Sequence, residues 1–169
     1  MVGPVVVLNP SGSSLPKYWP YSQQLMDALA EKQVHCVVLG DLRGKTLVPP
    51  KDFGHVIGRD WSIREAMAFS QLADVVVGTE SAIVNSVALE DNLKVVLLSH
   101  STPNNLTKHW KHTVPVKPAG LSCYPCHRVH MISYWCTKDQ ATQTSACQAA
   151  ASAEAVSNII TRYLETRGG

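Results

Sequence analysis

A chain of 169 residues, 45% hydrophobic and 17% charged, is long enough to bury one substantial core and has an ordinary globular composition. Its formal charge of +2 at pH 7 is too small to argue for nucleic acid or an anionic membrane surface as a partner. No apolar run approaches the roughly 20 residues of a bilayer span, and no basic region precedes the first apolar run, so a cytoplasmic protein without a signal peptide is expected.

The first apolar run, PVVVLN (Pro4 to Asn9), is a continuous β-branched stretch, as expected of a strand buried on both faces. It starts with no lead-in, as a half-protein cut at a linker would, and an N-terminal extension is expected. SQQLMDALAEKQ (Ser22 to Gln33) carries Leu25, Met26, Leu29 and Ala30 at helical spacing. HCVVLG (His35 to Gly40) and HVIG (His55 to Gly58) read as the second and third strands. The Gly- and Pro-rich stretch between them carries little regular structure.

Ser62 stands three residues before Glu65, the spacing of a capping box, and opens a helix to Ala73. Strand ADVVVG, helix AIVNSVALED (Ala82 to Asp91) and strand KVVLLSH follow. A helical turn then begins with Thr102 as N-cap and Pro103 at its first position. TVPVK (Thr113 to Lys117) reads as an edge strand, because Pro115 cannot donate to a ladder. Val156, Ile159, Ile160, Tyr163 and Leu164 form one stripe on a terminal helix capped by Ser152. The alternation predicts an α/β, Rossmann-like, mostly parallel sheet of five or six strands with helices on both faces.

Ligands of such sheets bind beyond the carboxyl ends of the strands, where the strand order reverses. Two loops fall there. In NPSGSSLPKYWP, Ser11, Gly12 and Ser13 let backbone amides approach a ligand, and Lys17 supplies a cation. In GTESAIVNSVAL, Gly78 to Leu89, Ser81 and Ala82 stand at a helix start, where free amides favour a phosphate. The plain alternatives are an ordinary turn in each case, with Glu80 as a capping carboxylate.

These segments resemble the C-terminal domain of heptosyltransferase-type glycosyltransferases (family nine, GT-B fold). Lys17-Tyr18-Trp19-Pro20 stands where members carry Lys-Arg-Trp-Pro, and GTESAIVNSVA is similar to their Gly-Pro-Asp-Thr-Gly-x-x-His-x-Ala-Ala motif. LLSHSTPNNLTKHW is similar to a third family segment, and the likeness runs over nearly the whole chain in order.

The resemblance implies one Rossmann-like domain, residues 1–169, that binds a nucleotide-diphosphate sugar. Lys17 would contact phosphate, and Glu80, Ser81 and the Ala82 amide would hold the diphosphate or sugar. Asn85 occupies the family's His position, where it carries no switchable charge. Asp41, just after the second strand, is placed to bond ribose hydroxyls or to serve as a turn aspartate. In the family the acceptor site and general base lie on an N-terminal domain, so this chain is expected to bind rather than catalyse. The competing expectation is a non-catalytic assembly module that keeps the fold.

Of five cysteines, Cys36 sits in the second strand and reads as a buried small hydrophobe. The other four, Cys123, Cys126, Cys136 and Cys147, fall in a polar segment at 121–148 that needs a staple. Four thiolates suit a structural zinc or iron ion, with loops of 9 and 10 residues closed between them. Two disulfides, free thiols, or His127 or His130 in place of one cysteine are the alternatives. The resemblance favours metal, because some branches of the family use four cysteines for a structural ion. His35, His55, His100, His109 and His112 show no ligand spacing, and Trp110, Tyr134 and Trp135 read as packing or as an interdomain face.

Overall fold

The computed structural model describes residues 3–58, 60–128 and 136–167. Its sheet has six strands: β1 Val5–Asn9, β2 His35–Leu39, β3 Gly54–Ile57, β4 Val75–Thr79, β5 Leu93–Leu97 and β6 Thr113–Val116. They lie in the order β3-β2-β1-β4-β5-β6, and every neighbouring pair is parallel. This is a Rossmann-type order, with its reversal between β1 and β4. Pro115 sits in the edge strand β6 opposite Val96, where only one side of the strand must be paired.

The helices are α1 Ser22–Ala30, α2 Ile63–Leu72, α3 Ala82–Ser86, α4 Pro103–Leu106, α5 Ala146–Ala149 and α6 Ala153–Arg167. Successive strand residues point to opposite faces, which splits the core in two. On one face Val6, Leu8, Val38, Val77 and Val95 pack under α1 (Leu25, Met26, Leu29) and α6 (Val156, Ile160). On the other, Val7, Val37 and Val76 pack under α2 (Ala66) and α3 (Ile83, Val84). Cys36 belongs to the first face and is fully buried, which pushes its thiol up to about 12.

The cap expectations hold: Ser62 and Glu65 exchange both bonds of a capping box, and Thr102 Oγ1 accepts from the Asn105 amide. Ser152 Oγ accepts from the Ala155 amide. Helix α3 is shorter than its pattern suggests, ending at Ser86 instead of running to Asp91. Past Ser86 the chain tightens into i→i−3 turns, with the Ala88 amide donating to Asn85 O and the Glu90 amide to Val87 O, while Ser86 Oγ donates to Ile83 O. Ala88 O accepts from the Lys111 amide and Glu90 O from Lys94 Nζ. Helix α4 ends at Leu106, so His109 and His112 share no helix face; both are exposed. His130, Tyr134 and Trp135 lie outside the described residues. Among the described residues no helix is long and apolar enough to cross a membrane.

Candidate functional site

The carboxyl ends of β1 and β4 meet at Asn9 and Gly78, which are register partners. Asn9 is buried, and its amide Nδ2 donates to Leu39 O at 3.0 Å while its Oδ1 accepts from Ser81 Oγ at 2.6 Å. One side chain therefore ties together the ends of β2, β1 and β4. A Cβ on Gly40 (φ +96°) would stand 2.6 Å from Asn9 Nδ2, so only glycine leaves this amide its place.

Above Asn9 opens a crevice of about 550 Å³. Ser11, Gly12 and Ser13 from the loop after β1 form one wall, and Asp41 after β2 lies at one end. Glu80, Ser81, Ala82 and Asn85 form the opposite wall. Ile57, Trp61 and Ile63 add apolar surface, with Trp61 set edge-on against Phe69 at 5.0 Å. Eight of the nine residues expected to bind a ligand thus line one crevice.

Lys17 is the ninth and does not line it. The loop after β1 makes a single 3-10 turn, Leu15–Lys17, that folds Lys17 behind Gly12. A Cβ on Gly12 would meet the Lys17 stem at 2.6 Å, so this packing requires glycine. The buried Lys17 donates from Nζ to Glu80 O at 3.2 Å. Burial lowers its pKa below the ordinary lysine value, with the Glu80 charge pulling the other way.

Glu80 is neither a helix cap nor a free carboxylate facing the crevice. Its buried carboxylate turns to the loop after β5, accepting from Ser99 Oγ at 2.5 Å and from the Ser101 amide at 2.9 Å. The His100 amide, at 3.3 Å, and His100 Nδ1 meet the same group. Burial alone would raise this carboxyl. Bonds from His100 and Ser99, the His100 charge and the Ser101 amide outweigh it and hold the pKa down at about 2. Ser81 likewise does not cap α3 with its side chain, because its hydroxyl is spent on Asn9. Asp41 Oδ1 accepts from the Arg43 amide at 2.9 Å, a turn contact, while the residue stays at the crevice end.

A second cavity, about 350 Å³, lies on the other side of Lys17. All four late cysteines line it, together with Lys17, His100 and Arg128. The segment is stitched down at both ends. Trp19 Nε1 donates to Ala151 O at 2.7 Å, Ser145 Oγ to Pro16 O at 2.5 Å, and the His127 amide to His100 O at 3.0 Å. Burial pushes the Cys136 and Cys147 thiols up; Cys126 and Cys123 push Cys136 further, and Cys136 and Cys123 push Cys147. All five cysteines are unpaired. The donor set suits a soft or borderline ion, yet among the described residues no group of three or more His, Cys, Asp or Glu is placed to hold one. His127 is exposed and does not line the cavity.

Several of these residues escaped the sequence reading. Asn9 is the last residue of an apolar run, and His100 follows LLS at the end of β5. Their position at carboxyl ends of strands was the available signal.

No family model matches the chain, and no curated protein matches it by sequence. Solved structures do match. Against ADP-heptose LPS heptosyltransferase II of E. coli the TM-score is 0.72 at 11% identity, over 99% of this chain and 48% of that one. A family 9 glycosyl transferase from Veillonella parvula gives 0.65 at 12%, over 96% and 46%. The dodecameric iron-containing heptosyltransferase TibC, solved with ADP-D-beta-D-heptose, gives 0.69 at 15%, over 98% and 47%. The chain spans about half the length of each of these proteins. It has the α/β fold found within heptosyltransferases and family 9 glycosyltransferases.

Proposed function

We propose that this chain is the donor-binding domain of a heptosyltransferase-like glycosyltransferase and holds a nucleotide-diphosphate sugar in the crevice between β1 and β4. The observation that carries this reading is the convergence of the two polar loops on one crevice at the sheet's reversal. The backbone amides of Gly12, Ser81 and Ala82 would face the diphosphate. Asp41 would meet the ribose, and Ile57 and Trp61 offer apolar surface to a base. Helix α3 has only five residues, so its dipole adds little and the amides themselves would do the binding. Acceptor and general base would come from a second, N-terminal domain.

In this reading Lys17 contributes a cation from behind Gly12, and Glu80 acts through the loop after β5 by fixing Ser99, His100 and Ser101. The four cysteines would hold a structural zinc or iron ion that orders the segment covering Lys17. Four thiolates leave no open position for substrate or an activated water.

Calorimetric titration with ADP- and GDP-sugars is expected to show binding by one of them. Lys17→Ala and Ser81→Ala should each weaken it by roughly ten-fold, the first by removing the cation and its bond to Glu80 O behind Gly12 and the second by releasing the Asn9 tie that fixes the crevice wall, since leaving such a group unpaired costs about 1–3 kcal/mol. Silence toward every nucleotide sugar by folded protein would overturn the proposal and favour a non-catalytic assembly module.

The role of Glu80 predicts an acid limb in the stability curve. Its carboxyl titrates at about 2 when folded against an ordinary value of 4.5, so the stabilisation is complete above about 4.5 and is lost as pH falls through about 2. It amounts to about 3 kcal/mol. Chemical denaturation of wild type and Glu80→Gln should give curves that converge over that window, and parallel curves would contradict the assignment.

Elemental analysis of protein purified without added metal should find about one zinc or iron per chain. Chelation should then disorder residues 121–148 and spare the sheet. Metal-free protein whose four late thiols all alkylate in the native state would exclude the site.

A further inference from the structure

A third hollow, about 210 Å³, opens beside the cysteine cavity and shares Pro16, Cys136 and Ser145 with it. Three cations, Arg43, Lys45 and Lys138, line it with the hydroxyl-bearing Tyr18, Thr142 and Thr144, and no carboxylate does. The cysteine cavity adds Lys17 and Arg128 and is also without a lining carboxylate. Five cations therefore face two adjoining hollows of a chain whose net charge is only +2.

The cations differ in how they are held. Arg43 is fixed: its Nη2 donates to Gly12 O at 2.7 Å, and Nη1 lies 3.8 Å from Asp41. Its side chain is thus oriented before any ligand arrives, which lowers the ordering cost of binding. Lys45 and Lys138 are exposed, and among the described residues neither meets a carboxylate. The nearby carboxylates are occupied. Asp41 belongs to the crevice side, and Asp139 accepts from the Thr142 amide at 2.7 Å and from Thr142 Oγ1 at 2.8 Å. That loop is therefore held in shape by its own acid while its neighbour Lys138 stays available.

A pre-oriented guanidinium with two free ammonium groups and hydroxyls around a concave surface suits a compact, doubly charged oxyanion. The volume is below the roughly 300 Å³ at which pockets begin to enclose drug-sized ligands, so a nucleotide does not fit wholly within it. We propose that this hollow binds a phosphate monoester, at a site distinct from the nucleotide-sugar crevice. The source is either free phosphate or the phosphate of a phosphorylated sugar. Because Arg43 also bonds Gly12, an anion held here would lie one residue's reach from the crevice wall. The inference does not rest on the donor reading.

The test is amide chemical-shift mapping of the whole chain at constant ionic strength, titrating inorganic phosphate and, separately, glucose 6-phosphate. Saturable shifts are expected at Lys45, Lys138 and Thr142 to Ser145. A Lys45→Ala/Lys138→Ala variant, altered only at exposed side chains, should bind at least about ten-fold more weakly with its other resonances in place, because two ammonium contacts are lost. Tighter binding of glucose 6-phosphate would identify a sugar phosphate, and equal binding a phosphate group alone. Shifts that fail to saturate, that persist unchanged in the double variant, or that appear only at Gly12, Ser81 and Ala82 would overturn the proposal. Nucleotide-sugar binding by the same double variant should be unchanged, so failure of the donor reading would show separately.

Discussion

The side chain of Asn9 is the constraint on which the site depends. At the reversal of a doubly wound sheet, the connections after β1 and β4 leave on opposite faces, and the strand ends would splay unless something tied them. Asn9 supplies the tie by donating to β2 and accepting from Ser81 after β4. The bond to Leu39 O is buried and the one from Ser81 partly so, and leaving a buried group unpaired would cost about 1–3 kcal/mol. The tie fixes the crevice walls before any ligand arrives.

From that point a polar chain runs across the sheet's edge. Lys17 reaches the Glu80 carbonyl, and the Glu80 carboxylate reaches Ser99, His100 and Ser101. The loops after β1, β4 and β5 are thereby one connected unit. The cysteine segment rests on it, bonded to Pro16, His100 and Ala151's partner Trp19. Burial of Trp19 matters here because removing such a side chain costs about 3–5 kcal/mol, enough to loosen the loop that carries Lys17. The cysteine cavity and the cationic hollow share Pro16, Cys136 and Ser145, and Lys17 and Arg43 connect them to the crevice wall by bonds to Glu80 O and Gly12 O.

The fold was legible because its signals are local and repeated. Short β-branched runs such as VVVLN and HCVVL suit strands buried on both faces, and Ser62 with Glu65 has the spacing of a helix start. The site was legible as a place, because strand ends in a parallel sheet collect on one edge. What each side chain does there was not. Nothing local tells Glu80 to turn toward residues 99–101, 19 to 21 positions away. Lys17 could not be assigned to the far side of Gly12 without the 3-10 turn that places it. The end of α3 was equally hidden, since the chain just past it is held in turns, with Ala88 O bonded by the Lys111 amide from a distant loop.

The central claim is that a nucleotide diphosphate binds at the reversal between β1 and β4. A crystal structure of the chain grown with ADP, and with GDP if ADP does not bind, tests it most directly. The pyrophosphate should lie against the amides of Gly12, Ser81 and Ala82, with the ribose toward Asp41. A nucleotide seated in the cysteine cavity, or a crevice left empty by both nucleotides at saturating concentration, would contradict it.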